Sequence, residues 1–125
     1  MGKIMFADDV MYTLEYEVKD NKLYLNNDTE PTKVSKNFRG IYRHFKGGLY
    51  AVHGTIKYKN KEYMLYEALY TLRCCLYLRE YSDFVGTVFV DRPDNVTKQR
   101  QRFDYLGKLP TYLFYKRSEE RRVGK

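Results

Sequence analysis

The chain has 125 residues, 43% of them hydrophobic and 17% aromatic, which is enough for one domain whose core needs no disulfide or metal to hold it. Its formal charge is +7, a moderate excess that favours acidic partners such as nucleotides or nucleic acid, although many soluble domains carry as much. The sequence has no apolar run of about 18 residues, which excludes a membrane-spanning helix.

From the N-terminus, Met1 to Asp9 turns acidic too early for a signal peptide, so a cytoplasmic location is expected. Residues 10–18 alternate, with Val10, Tyr12, Leu14, Tyr16 and Val18 on one face, and predict a strand with one face buried. Lys19 to Lys22 reads as a turn and Leu23-Tyr24-Leu25 as its short partner, whereas residues 26–39 are polar, include Pro31 and read as a connector. A further strand begins near Ile41, bends at Gly47-Gly48, and continues from Leu49 to Tyr58 with Tyr50, Val52, Ile56 and Tyr58 on one face. Gly54 interrupts that series and marks a bulge or tight bend. Lys59-Asn60-Lys61 is a turn, and Glu62 to Tyr70 is apolar on both faces, as a central strand is. Cys74 to Arg79 is another strand, Tyr81 to Phe84 a single helical turn or loop, Gly86 to Val90 a strand, and Asp91 to Lys98 a polar loop. Arg102 to Leu106 and Leu109 to Tyr115 complete the series.

Short strands at this spacing predict an all-β fold: a small bent antiparallel sheet or a partly open β-barrel. Residues 1–40 form its N-terminal β-hairpin extension and connector, and residues 41–116 the barrel-like domain. Residues 117–125 are charged, lack aromatics and supply +2 of the net charge. This tail resembles a vector-derived segment from a metagenomic assembly, the alternative being a basic arm that helps to bind an anion. Cys74 and Cys75 are adjacent and on a strand point to opposite faces, so they read as two reduced thiols. With no Cys-x-x-Cys pair and no His cluster, neither a metal nor a cofactor is expected.

Residues Ile41 to Val52 carry the run Tyr42-Arg43-His44-Phe45-Lys46-Gly47, followed by Tyr50-Ala51-Val52. Further on come Tyr66-Glu67-Ala68-Leu69-Tyr70, Leu76-Tyr77-Leu78-Arg79-Glu80 with Phe84, and Arg102-Phe103. This ordered set resembles an uncharacterised family, domain of unknown function 1653, over residues 41–106. Tyr77 stands where the family has Trp, which keeps an aromatic plate but adds a hydroxyl, and Glu80 stands where it has Pro. The resemblance implies a small β fold and a shared site, and names no reaction.

The chemistry of these blocks points to anion binding. Arg reads phosphate as a fork, Lys supplies a point charge and Tyr stacks on a base. On a strand Tyr42, His44 and Lys46 face one way and Arg43 and Phe45 the other. If residues 41–46 and 74–79 approach each other, His44, Lys46, Tyr77 and Arg79 surround one anionic, stackable ligand. The candidate ligand-binding residues are therefore Tyr42, Arg43, His44, Lys46, Tyr66, Tyr77 and Arg79. The competing reading makes Tyr42 and Tyr77 core and both arginines surface ion pairs. A His44–Glu67 acid–base pair is the one catalytic arrangement worth weighing, since no nucleophile motif, P-loop or dinucleotide-binding glycine turn is present; no catalytic residue is assigned.

The leading expectation is a non-catalytic module that captures a small anionic ligand of the nucleotide class, with no membrane partner and with room for a homo-oligomer. By analogy, a short stand-alone domain with such a tail suggests a phage-encoded sponge that sequesters a nucleotide immune signal. The competing classes are a single-stranded nucleic-acid or protein-interaction adaptor and a small nucleotide hydrolase. Lys57-Tyr58-Lys59 and Arg100-Gln101-Arg102-Phe103 interleave bases and aromatics as the adaptor requires.

Overall fold

Eight strands and one helical turn make up the regular structure described in a computed structural model, which covers residues 2–69 and 76–108. The strands are β1 (Gly2–Phe6), β2 (Asp9–Lys19), β3 (Lys22–Leu25), β4 (Gly40–His44), β5 (Leu49–Tyr58), β6 (Lys61–Ala68), β7 (Leu76–Glu80) and β8 (Phe103–Gly107); α1 (Tyr81–Phe84) follows β7 directly. They form one open sheet in the order β3-β2-β1-β7-β6-β5-β4-β8. The barrel does not close, and the sheet is mixed rather than purely antiparallel, because β1 runs parallel to β7 with Ile4 opposite Leu76 and Phe6 opposite Leu78. The alternating pattern of residues 10–18 specified β2 and its hairpin with β3. β1 is too short for its Ile4 and Phe6 to announce a period, yet it joins the hairpin to the rest of the sheet.

Two turns are built for antiparallel twist. Asp20 and Asn21, and likewise Lys59 and Asn60, all have positive φ, the conformation of two-residue hairpin loops whose twist matches that of the flanking strands. The long β5–β6 hairpin places β6 in the middle of the sheet, where Met64 to Ala68 are buried on both faces.

Gly54 decides how the two faces are partitioned. The β5–β6 register shifts between Val52 and Gly54, and the bulge flips the alternation. Tyr50 and Val52 therefore pack on one face with Tyr42, Met64, Tyr66, Phe84 and Phe103, while Ile56 and Tyr58 join Ile4, Leu14, Leu65 and Leu78 on the other. The expected single face carrying Tyr50, Val52, Ile56 and Tyr58 is thus split in two, by the residue expected to cause a bulge. Gly54 has φ +149°, and a Cβ there would lie 1.9 Å from the Ser35 carbonyl oxygen. The space is taken by the connector, whose Ser35 exchanges two backbone hydrogen bonds with Thr55 and whose Val34 packs against the Ile4–Leu78 cluster.

Gly86 to Val90 is not a strand; it contributes the isolated bridge Thr87–Gln101. The expected strand over 109–115, the tail, Cys74-Cys75 and Tyr70 lie outside the described residues. Among the described residues no helix is long and apolar enough to cross a membrane.

Candidate functional site

The blocks that carry the resemblance meet around Phe103. Its ring stacks on Phe84 with centroids 4.0 Å apart and planes 4° apart. His44 packs edge-on against it at 4.8 Å, Tyr50 at 5.7 Å and Tyr66 at 5.8 Å. The Arg79 guanidinium lies 5.7 Å from the same ring. Tyr77 stacks on Tyr66 at 5.6 Å and is the outer, part-exposed plate of that pair. Strands β4 and β7 are not neighbours, as β5 and β6 lie between them. Curling of the sheet brings their side chains together over the edge strand's Phe103.

Two arginines converge on one carboxylate. Arg79 Nη1 donates to Asp83, Arg79 Nε donates to the Tyr66 hydroxyl at 3.2 Å, and Asp8 stands 3.7 Å from Nη1. Arg102, just before β8, places Nη2 3.6 Å from the other Asp83 oxygen and donates from Nε to the Asp83 carbonyl at 3.2 Å. Burial pulls the Arg79 pKa down, but Tyr66 and Asp83 outweigh it and hold the group above its ordinary value.

His44 registers the local field. Burial first, then the charges of Arg79, Lys46 and Arg102, push its imidazole down to about 4, with Asp94 opposing. At neutral pH it is uncharged, and because its Nδ1 accepts the Lys46 backbone N–H at 3.1 Å, the ring proton sits on Nε2.

The remaining expected residues have other duties. Tyr42 is 9% exposed and donates its hydroxyl to the Phe38 carbonyl at 2.9 Å, and burial raises its pKa. The core reading holds for this tyrosine. Arg43 donates from Nε to Gln99 Oε1 at 2.8 Å, and Gln99 donates back to the Arg43 carbonyl at 3.0 Å. Lys46 lies beyond the end of β4, in the turn before Gly47, 3.8 Å from Asp94. It therefore leaves the face expected for it, although its charge still acts on His44. Glu67 does not reach His44; it bonds His53 at 2.9 Å, with both side chains buried. Their strand positions explain this, since Glu67 points to the face opposite Tyr66.

Three participants went unassigned. Asp83 follows Arg79 by four residues, but Arg79 ends a strand and Asp83 sits on α1, so only the strand-to-helix turn brings them together. Arg102 and Phe103 belong to the matched blocks, but only the curl of the sheet reveals their place. Among the described residues no group of three His, Cys, Asp or Glu is set to hold a metal. A half-open cleft of about 390 Å³ lies elsewhere, at the β2–β3 hairpin, and its acids Glu15, Glu17 and Asp28 disfavour an anion.

The family model described as "Protein of unknown function (DUF1653)" matches residues 40–105. The chain belongs to this family. No curated protein and no solved structure matches it. Within this DUF1653 chain the matched segment contains β4 to β7, α1 and the first residues of β8, and so spans every residue that surrounds Phe103. The N-terminal strands β1 to β3 lie outside it, and the turn between β1 and β2 adds Asp8 to the neighbourhood of Arg79.

Proposed function

We propose that the chain is a non-catalytic binding module that captures a small anionic ligand of the nucleotide class, with phosphate on Arg79 and Arg102 and the base against Tyr77. The observation that carries this reading is geometric: Arg79 and Arg102 converge on Asp83 beside the Phe103 ring, with Tyr77 as a part-exposed aromatic plate nearby. The same cations act on half-buried His44: burial first, then the charges of Arg79, Lys46 and Arg102, lower its pKa to about 4, and that positive charge favours an anion. Aromatic rings beside that field supply stacking.

Two features favour capture over conversion. An imidazole with its pKa near 4 is a weak base at neutral pH, and Glu67 is engaged with His53 on the opposite face. The captured nucleotide is thus returned unchanged, which is the property a sponge for a nucleotide signal requires. Incubating the protein with a nucleoside monophosphate and recovering it after denaturation tests this. Intact nucleotide at stoichiometric yield supports capture, whereas a dephosphorylated product supports a hydrolase.

A second reading, single-stranded nucleic-acid binding, is favoured by the β5–β6 hairpin tip. There Lys59 stands 5.4 Å over the Tyr58 ring, and the Tyr58 hydroxyl meets that of the exposed Tyr12 at 3.2 Å. This reading requires oligonucleotide affinity with a steep salt dependence, lost on Lys59→Ala and indifferent to Arg79→Ala.

A further inference from the structure

The two arginines assigned to an anion already hold one. Asp83 follows Arg79 by four residues, and α1, which begins at Tyr81 directly after β7, carries its carboxylate back to the Arg79 guanidinium. Oδ2 accepts from Arg79 Nη1, and Oδ1 stands 3.6 Å from Arg102 Nη2. A pair of anionic oxygens shared between two guanidinium forks is also how arginines engage a phosphate.

Side-chain exposure is 17% for Arg79, 22% for Arg102 and 33% for Asp83, so the carboxylate is the most accessible of the three. Its neighbours on α1 are fixed by rings: Phe84 stacks on Phe103, and Tyr81 packs against Phe38 at 5.3 Å. The Asp83 side chain can therefore rotate away without dismantling the turn. Arg79 keeps a pivot in its Nε bond to Tyr66.

We propose that Asp83 is an internal stand-in for the ligand's anionic group, an autoinhibitory contact that a phosphate displaces from Arg79 and Arg102. This inference rests on the anion-binding reading above and adds selectivity to it. A carboxylate ligand brings no more charge than the aspartate it must replace. A phosphate monoester carries roughly two negative charges at neutral pH and a third acceptor oxygen, so it displaces Asp83 where carboxylates do not.

The test titrates inorganic phosphate and AMP into the full chain and into Asp83→Asn at fixed ionic strength, by calorimetry, with the arginine Nε–H and Tyr81–Phe84 amide resonances followed by NMR. The expected results are phosphate binding about tenfold or more tighter in Asp83→Asn, and movement of the Arg79, Arg102 and Asp83 resonances in the unaltered chain as phosphate is added. Equal or weaker affinity in Asp83→Asn, with the arginine resonances still responding, overturns the stand-in role and leaves the anion site in place. Silence of both arginines toward both probes in both proteins overturns the anion site itself. Should Asp83→Asn fail to fold, Asp83→Ser takes its place, and failure of the Asp83 amide to move with the arginines in the unaltered chain overturns the inference.

Discussion

The Arg79 guanidinium stands 5.7 Å from the centre of the Phe103 ring, although three strands, β6, β5 and β4, separate β7 from β8. In a flat sheet, at ~4.8 Å per strand, those two backbones would be roughly 19 Å apart. Curvature is therefore the condition for the site, and register shifts at Val52/Gly54 and Ile41/Tyr42 accompany it in the strands between.

Gly54→Ala tests that dependence. The residue adopts φ +149°, and its Cβ would lie 1.9 Å from the Ser35 carbonyl oxygen, so the connector must move or the bulge must straighten. We expect a loss of about 1–3 kcal/mol from backbone strain alone, with the clash adding to it, read as a lowered urea midpoint. An unchanged midpoint contradicts the role given to the bulge.

Arg79→Ala removes a guanidinium that meets Tyr66, Asp83 and Phe103. Binding of AMP should weaken by about 1.5–3 kcal/mol, the range for charge-assisted hydrogen bonds. Tyr77→Phe should be nearly silent, and Tyr77→Ala should cost roughly 1–3 kcal/mol of binding through lost stacking. Melting curves on each variant separate lost binding from lost folding. If Arg79→Ala folds and binds normally, the ligand sits elsewhere.

His44 gives a pH signature. Its folded pKa of about 4 lies below the ordinary 6.5, so as pH falls through that interval the unfolded chain takes up a proton that the folded chain refuses. Stability from this residue is complete above 6.5 and declines toward 4. His44→Gln should flatten the slope of stability against pH in that window by up to about one proton. Bound phosphate, by offsetting Arg79 and Arg102, should raise the His44 pKa in an NMR titration. An imidazole that titrates at its ordinary value with and without phosphate refutes the field assigned here.

His53 and Glu67 are a matter of stability. Glu67 is 4% exposed and His53 0%, so Glu67→Ala strands a buried polar group and should cost about 1–3 kcal/mol in denaturant unfolding. Phosphate affinity of the folded fraction should not change. An altered affinity with intact folding would show that the opposite face communicates with Phe103.

The fold was legible wherever alternation was long enough to count. Residues 10–18 specified β2, the stretch from Glu62 to Tyr70 specified the central strand, and the break at Gly54 specified the bulge. β1 escaped because five residues give too few periods and because its partner β7 is more than seventy positions away and parallel. Gly86 to Val90 misled through its β-branched valines; among the described residues the segment pairs only through the Thr87–Gln101 bridge. At the site, Arg79, Tyr66, Tyr77 and His44 were visible as chemistry in matched blocks, and they do gather. Their gathering point, Phe103, was not visible, because it depends on curvature summed over four strand pairings. Tyr42 does share the face of Phe84 and Phe103, as its strand position implied, but as core with its hydroxyl on the Phe38 carbonyl, while Arg43 on the other face is held by Gln99.

The most direct test of anion capture is mass spectrometry of small molecules released by denaturing the protein after native purification from cells, run in parallel on the Arg79→Ala/Arg102→Ala double variant. A phosphate-bearing compound recovered intact from the unaltered chain and absent from the folded double variant is the predicted result. Recovery of the same compound in equal amount from both proteins, or of no phosphate-bearing compound from the unaltered chain, contradicts the account.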